Sequence, residues 1–104
     1  MVQYLFNSSG GWIAFRINRY VFDAEGGWIG WLPWDEITVV TPNGDYLGTI
    51  YHGNRLYRNL YEPFRGYPGY PGYPGYPGYP GYPGFPGYST LPFNAADVDI
   101  KKSD

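Results

Sequence analysis

A chain of 104 residues with a net charge of −2 holds at most one small domain. With no cysteine and a single histidine, His52, it has no disulfide framework and no basis for an imidazole or thiolate zinc site, so no metal or other cofactor is expected. Its basic residues (Arg16, Arg19, Arg55, Arg58, Arg65 and the terminal Lys101 and Lys102) are scattered, which argues against the basic stripe of a nucleic-acid binder.

Met1 to Gly11 has neither a basic nor an apolar signal region, and no stretch reaches transmembrane length. No Sec-type signal and no membrane span are expected. A cytoplasmic location is the default, with extracellular assembly by another route left open. Aromatic residues make up 22% of the chain, and they form two sets, one before and one after residue 60.

The first set lies in an internal repeat. Tyr4 to Phe15, Tyr20 to Trp31 and Thr38 to Thr49 align at offsets of 16 and 18 residues. Each unit reads as three strand formers, a polar turn with glycine, then an aromatic, an aliphatic and a small residue. Glycine supplies the positive φ of a tight turn, and Pro42-Asn43-Gly44 is a turn signal of its own. Further turns fall at Asn18-Arg19, Pro33 to Glu36 and His52 to Asn54, and a last strand at Arg55 to Arg58. Seven or eight short strands and no helix are predicted. Period two places Ile13, Phe15, Ile17, Ile29, Trp31, Leu47, Thr49 and Tyr51 on the core face. It places Trp12, Ala14, Arg16, Trp28, Gly30, Tyr46 and Gly48 on the opposite face, where a small residue beside each large ring leaves room for another ring or a ligand.

The recurring apolar strand followed by Gly-x-aromatic-Ile/Leu-Gly/Ala, over residues 4–60, resembles bacterial proteins with a four-fold β-flower domain. The resemblance implies four hairpin units about a pseudo-four-fold axis, and no established activity. The fourth unit departs from it: after Arg55-Leu56-Tyr57-Arg58 the chain runs directly into a tail. The fourth unit is either incomplete, or its place is filled by the tail or by a neighbouring chain.

From Gly66 to Gly87 glycine occupies every third position, as Gly-Tyr-Pro six times and then Gly-Phe-Pro. Proline excludes helix and central strand and leaves polyproline II geometry. The tail therefore also resembles collagen-like repeats. Its aromatic face outruns the glycine repeat: Tyr61, Phe64, Tyr67, Tyr70, Tyr73, Tyr76, Tyr79, Tyr82, Phe85 and Tyr88 share one register. About 27 residues at ~3.1 Å span roughly 80–85 Å. A head ~25–30 Å across is expected not to cover such a tail. Two association geometries follow: a Gly-Tyr-Pro triple helix, or a bundle of polyproline II strands or tails docked on Trp12, Trp28 and Tyr46 of neighbouring heads. The last segment, Asn94 to Ile100, alternates weakly and is read as a polar end, with an edge strand as the other possibility.

Catalytic chemistry finds little support. His52 lies in a turn signal without a nucleophile motif. Asp35-Glu36 is a carboxylate pair of sequence neighbours, which usually point apart. Gly10-Gly11 and Gly26-Gly27 are turn glycines without the lysine of a phosphate loop.

The expectation is therefore an all-β protein. A hairpin-repeat domain, β-flower or barrel-like, covers 1–60, a polyproline II tail covers 61–92, and a polar segment covers 93–104. The predicted function is structural self-assembly into an oligomer or filament, with no enzyme activity. The contacts are assigned to Trp12, Trp28, Tyr46 and the ten tail aromatics. The alternative is a binding module, with an aromatic face for glycans or a tail recognised by a Pro-binding domain.

Overall fold

The computed structural model describes residues 2–100. Eight strands follow in order: β1 (Val2–Phe6), β2 (Trp12–Ile17), β3 (Tyr20–Asp23), β4 (Trp28–Trp31), β5 (Thr38–Val40), β6 (Tyr46–Tyr51), β7 (Arg55–Asn59) and β8 (Ala95–Asp97). Each pairs antiparallel with the next, and a parallel bridge from Phe6 to Arg55 joins β1 to β7. The chain is thus a closed seven-stranded barrel of short hairpins with one extra strand. Among the described residues no helix is long and apolar enough to cross a membrane.

The repeat is structural as well as sequential. In the three hairpin turns Asn7 N–H bonds Gly11 O, Asp23 N–H bonds Gly27 O, and Thr41 N–H bonds Asp45 O, at 2.7–2.9 Å. Gly10, Gly26 and Gly44 take φ of 90°, 91° and 94°, a region closed to most L side chains. The first residue of each turn caps the fifth through its side chain. Asn7 Oδ1 and Asp23 Oδ1 accept from the Gly11 and Gly27 N–H, and Thr41 Oγ1 from the Asp45 N–H. A Cβ on Gly11 or Gly27 would press into the Asn7 or Asp23 side chain. The third turn uses the shorter Thr41, and there Asp45 stands where the others need glycine.

Strict alternation fails at these hairpins. Each carries a bulge, so that Leu5 faces Ala14 but Phe6 faces Trp12. Likewise Val21 faces Gly30 but Phe22 faces Trp28, and Val39 faces Gly48 but Val40 faces Tyr46. The extra residues, Ile13, Ile29 and Leu47, break period two between the large ring and the small residue. The expected face assignment holds at Phe15 and Thr49, which are buried, and is corrected around the bulges. Ala14 is fully buried and Gly30 and Gly48 are buried, while Ile13, Ile29 and Leu47 are only partly covered. Leu5, Val21, Val39 and Leu56, one from each successive strand pair, are all fully buried in the same cluster. The other side of the sheet is also covered, with Phe15 and Phe22 stacked at 5.5 Å.

The fourth unit is completed by the chain itself. In place of the expected polar end, β8 pairs with β7 (Tyr57 with Asp97, Arg58 with Ala96, Asn59 with Ala95). Val98 follows into the core, where it and Leu56 both lie against Gly48. The whole tail is therefore the loop between the two strands of the fourth pair.

Small residues in this core are there for space. A Cβ at Gly30 would strike the Val40 carbonyl oxygen and the Val39 side chain. Gly30→Ala is expected to lower unfolding stability by about 1–3 kcal/mol through overpacking, read as a fall in the urea midpoint; an unchanged midpoint would contradict this packing.

Candidate functional site

The tail crosses the three complete hairpins of its own chain in reverse order. Its glycines take φ from 83° to 96° at every triplet from Gly66 to Gly87. A continuous polyproline II helix needs φ near −75° throughout, so the tail is an extended strap that leaves that helix at each glycine. A Cβ on any of these glycines would meet nothing within 4 Å. Collagen requires glycine for room at a crowded axis; here the need is positive φ alone, and the triple-helix geometry does not apply to this conformation.

The strap and hairpins share a register. Tyr67, Tyr76 and Phe85 lie over the turn glycines Gly44, Gly26 and Gly10, whose missing Cβ atoms make room for the rings. These rings are nine residues apart, three triplets per hairpin. Between them, Tyr70 and Tyr73 flank Trp28, both at 5.7 Å between ring centroids. Tyr79 and Tyr82 flank Trp12 at 5.8 and 6.0 Å. Each indole is held on its barrel side as well. Tyr4 stands edge-on to Trp12 and Tyr20 edge-on to Trp28, and the Trp12 and Trp28 Nε1–H groups donate to Ala14 O and Gly30 O at 2.8 Å.

The protein measures 35 × 34 Å along its two longer axes. A girth of roughly 110 Å puts a quarter turn at about 27 Å, within reach of nine residues, which span at most about 30 Å when extended. The expectation that the head is too small for its tail compared the tail with a diameter; a strap that winds follows the girth.

Tyr46 does not join the clamp. Its hydroxyl lies 2.6 Å from Thr49 Oγ1 and accepts from the Asn59 N–H at 2.9 Å, and burial pushes its pKa up. The residues one register step before Tyr70 and Tyr73 are Tyr61 and Phe64. Pro63 and Phe64 line a cleft beside Tyr46, but the Tyr61 and Phe64 rings are 73% and 90% exposed. Here the strap carries Glu62-Pro63 in place of Pro-Gly. Tyr88 packs edge-on against Phe85 at 5.6 Å.

Polar anchors fix the strap ends. The buried Arg55 donates to Asn7 O at 2.8 Å and to Gly87 O at 3.0 Å. Ser89 N–H bonds Ser8 O, and Asp97 accepts from both the N–H and the hydroxyl of Ser8. Tyr4 OH donates to Pro80 O at 3.0 Å. At the other end Arg65 bonds Asp35 at 3.0 Å and covers the Trp34 ring. Glu36, the second acidic residue of that loop, is engaged by Arg16 and Arg19. Tyr4 and Tyr20 open their repeats, and that shared position is a signal sequence reasoning passed over. Arg55, Ser8 and Asp97 carry no local motif.

No family model matches the chain, and no curated protein or solved structure matches it either.

The Asp35 carboxyl shows how the strap's start is held. Partial burial raises its pKa, but hydrogen bonds from the Ile37 and Thr38 N–H groups, Arg65 and the Thr38 hydroxyl more than offset this, and the pKa falls from 3.8 to about 2. A depressed folded-state value means that the group stabilises the fold above pH 3.8 and that this contribution is lost as pH falls towards 2. Asp35→Asn is expected to lower stability at neutral pH and to flatten the unfolding midpoint between about pH 4 and 2. A D35N variant with the parent's acid dependence would contradict this assignment.

Proposed function

We propose that this is a structural, self-assembling protein whose strap presents an outward belt of aromatic rings to other copies. The observation that carries the reading is exposure. Even while seated on the barrel, Tyr67, Tyr70, Tyr73, Tyr76, Tyr79 and Tyr82 remain 59–69% exposed, and Phe64 and Phe93 reach 90% and 94%. A soluble monomer rarely carries a continuous apolar band of this extent. The strap leaves and rejoins the barrel at one place, where Leu60 N–H bonds Asn94 O, the residue after Phe93. Phe93, Phe64, Tyr88 and Tyr61, at 94%, 90%, 82% and 73% exposed, supply the freest rings for contact.

The four strand pairs carry Leu5, Val21, Val39 and Leu56 in corresponding places, which fits the repetition of one hairpin unit. The alternative of a glycan-stacking face on Trp12 and Trp28 has less support, because tail tyrosines flank both indoles.

Sedimentation velocity over a wide concentration range tests the reading. The parent chain is expected to associate as concentration rises. A triple variant, Tyr61→Ser, Phe64→Ser and Phe93→Ser, is expected to need at least ten times the concentration for the same degree of association. A parent that stays monomeric throughout, or a variant that assembles like the parent, would overturn it.

A further inference from the structure

We infer that the segment from Leu60 onward is an exchangeable arm, and that the strap and β8 of one copy seat on the barrel of a second copy. The inference rests on the self-association reading above: the outward rings bring copies together, and arm exchange locks them.

Four features support it. Among the described residues, the strap's ring contacts outside itself are with residues that precede it, so the same arm on an identical barrel recovers them. The strap is held by rings and by few hydrogen bonds. Between Gly66 and Ser89 the backbone bonds outward through Pro80 O, Gly87 O and the Ser89 N–H, and no sheet ladder fixes it. Such a segment belongs to the low-stability end of a fold.

The register is also modular. Tyr70 and Tyr73 grip Trp28 while Tyr79 and Tyr82 grip Trp12. One clamp can therefore transfer to a neighbour while the other stays in place, so exchange needs no step in which the whole strap is released. Finally, the arm leaves the barrel through an exposed stretch. Leu60 and Tyr61 are 57% and 73% exposed, and the local bond from Glu62 N–H to Asn59 O is long, at 3.4 Å.

Wrapping within one chain competes with exchange. A tethered arm has an effective concentration on the order of millimolar, so exchanged forms grow as protein concentration approaches that range.

The chain contains no cysteine, which allows a direct trap. Arg58 and Ala96 are register partners across β7 and β8. Paired antiparallel residues lie about 4.5–5.5 Å apart at Cα, within disulfide reach. The full chain carrying Arg58→Cys and Ala96→Cys is oxidised at micromolar and at near-millimolar concentration. The products are read on a non-reducing gel, with sedimentation of the same samples. Arm exchange predicts intramolecular closure in the dilute sample and covalent dimers and larger species in the concentrated one, their fraction rising at least tenfold.

If the concentrated protein assembles but every disulfide is intramolecular, exchange is overturned and association through the rings stands. If the protein is monomeric with only intramolecular disulfides, both readings fail. A second pair, Ser8→Cys with Asp97→Cys, is run in parallel. If neither pair closes in any sample, the β8 placement fails and the inference fails with it.

Discussion

Trp12 and Trp28, each gripped between two tyrosines, are the contacts on which the arrangement outside the barrel depends. Four such ring pairs contribute about 2–6 kcal/mol beyond the area they bury, at roughly 0.5–1.5 kcal/mol per pair. The strap makes few backbone bonds to the barrel, so the rings set its path. Proline aids them by fixing φ in the free chain, which reduces the conformational freedom lost when the strap is ordered.

Glycine serves two purposes in the same molecule. In the hairpin turns it provides positive φ and also room, because Tyr67, Tyr76 and Phe85 rest where a Cβ would stand on Gly44, Gly26 and Gly10. In the strap, every glycine faces open space and only the positive φ matters. This divides the effects of substitution. A side chain at Gly26 displaces a strap ring as well as straining the turn, whereas one at Gly72 strains the strap without touching the barrel. The two repeats mesh because the hairpin repeat of 16–18 residues and the nine-residue strap unit each cover one hairpin of the same barrel.

Much of this was legible in the sequence. The hairpin repeat, its turns and the absence of helix follow from glycine placement and from β-branched and aromatic runs, and the single register of the tail rings follows from counting. Other features were not legible. The bulges at Ile13, Ile29 and Leu47 break the apparent faces between each large ring and the small residue two places on, because one extra residue resets a period-two pattern without leaving any compositional mark. The return of β8 to β7 joins residues separated by the entire tail, and Ala95-Ala96-Asp97 has no strand propensity of its own. The choice between winding around its own barrel and reaching a neighbour depended on comparing a length with a girth. The nine-residue spacing was countable within the tail but had no meaning until Trp12 and Trp28 were placed beside it. Tyr46 was grouped with the two tryptophans by repeat position, yet its hydroxyl turns it toward Thr49 and Asn59.

The most direct test of the strap's placement is a measurement of nuclear Overhauser contacts between tryptophan and tyrosine rings in dilute, monomeric protein. The account predicts contacts from Trp28 to Tyr70 and Tyr73, and from Trp12 to Tyr79 and Tyr82, with the tail tyrosines shifted from random-coil positions by the indole ring currents. Random-coil tyrosine shifts without tryptophan contacts, or contacts in a register displaced by one or more triplets, would contradict it.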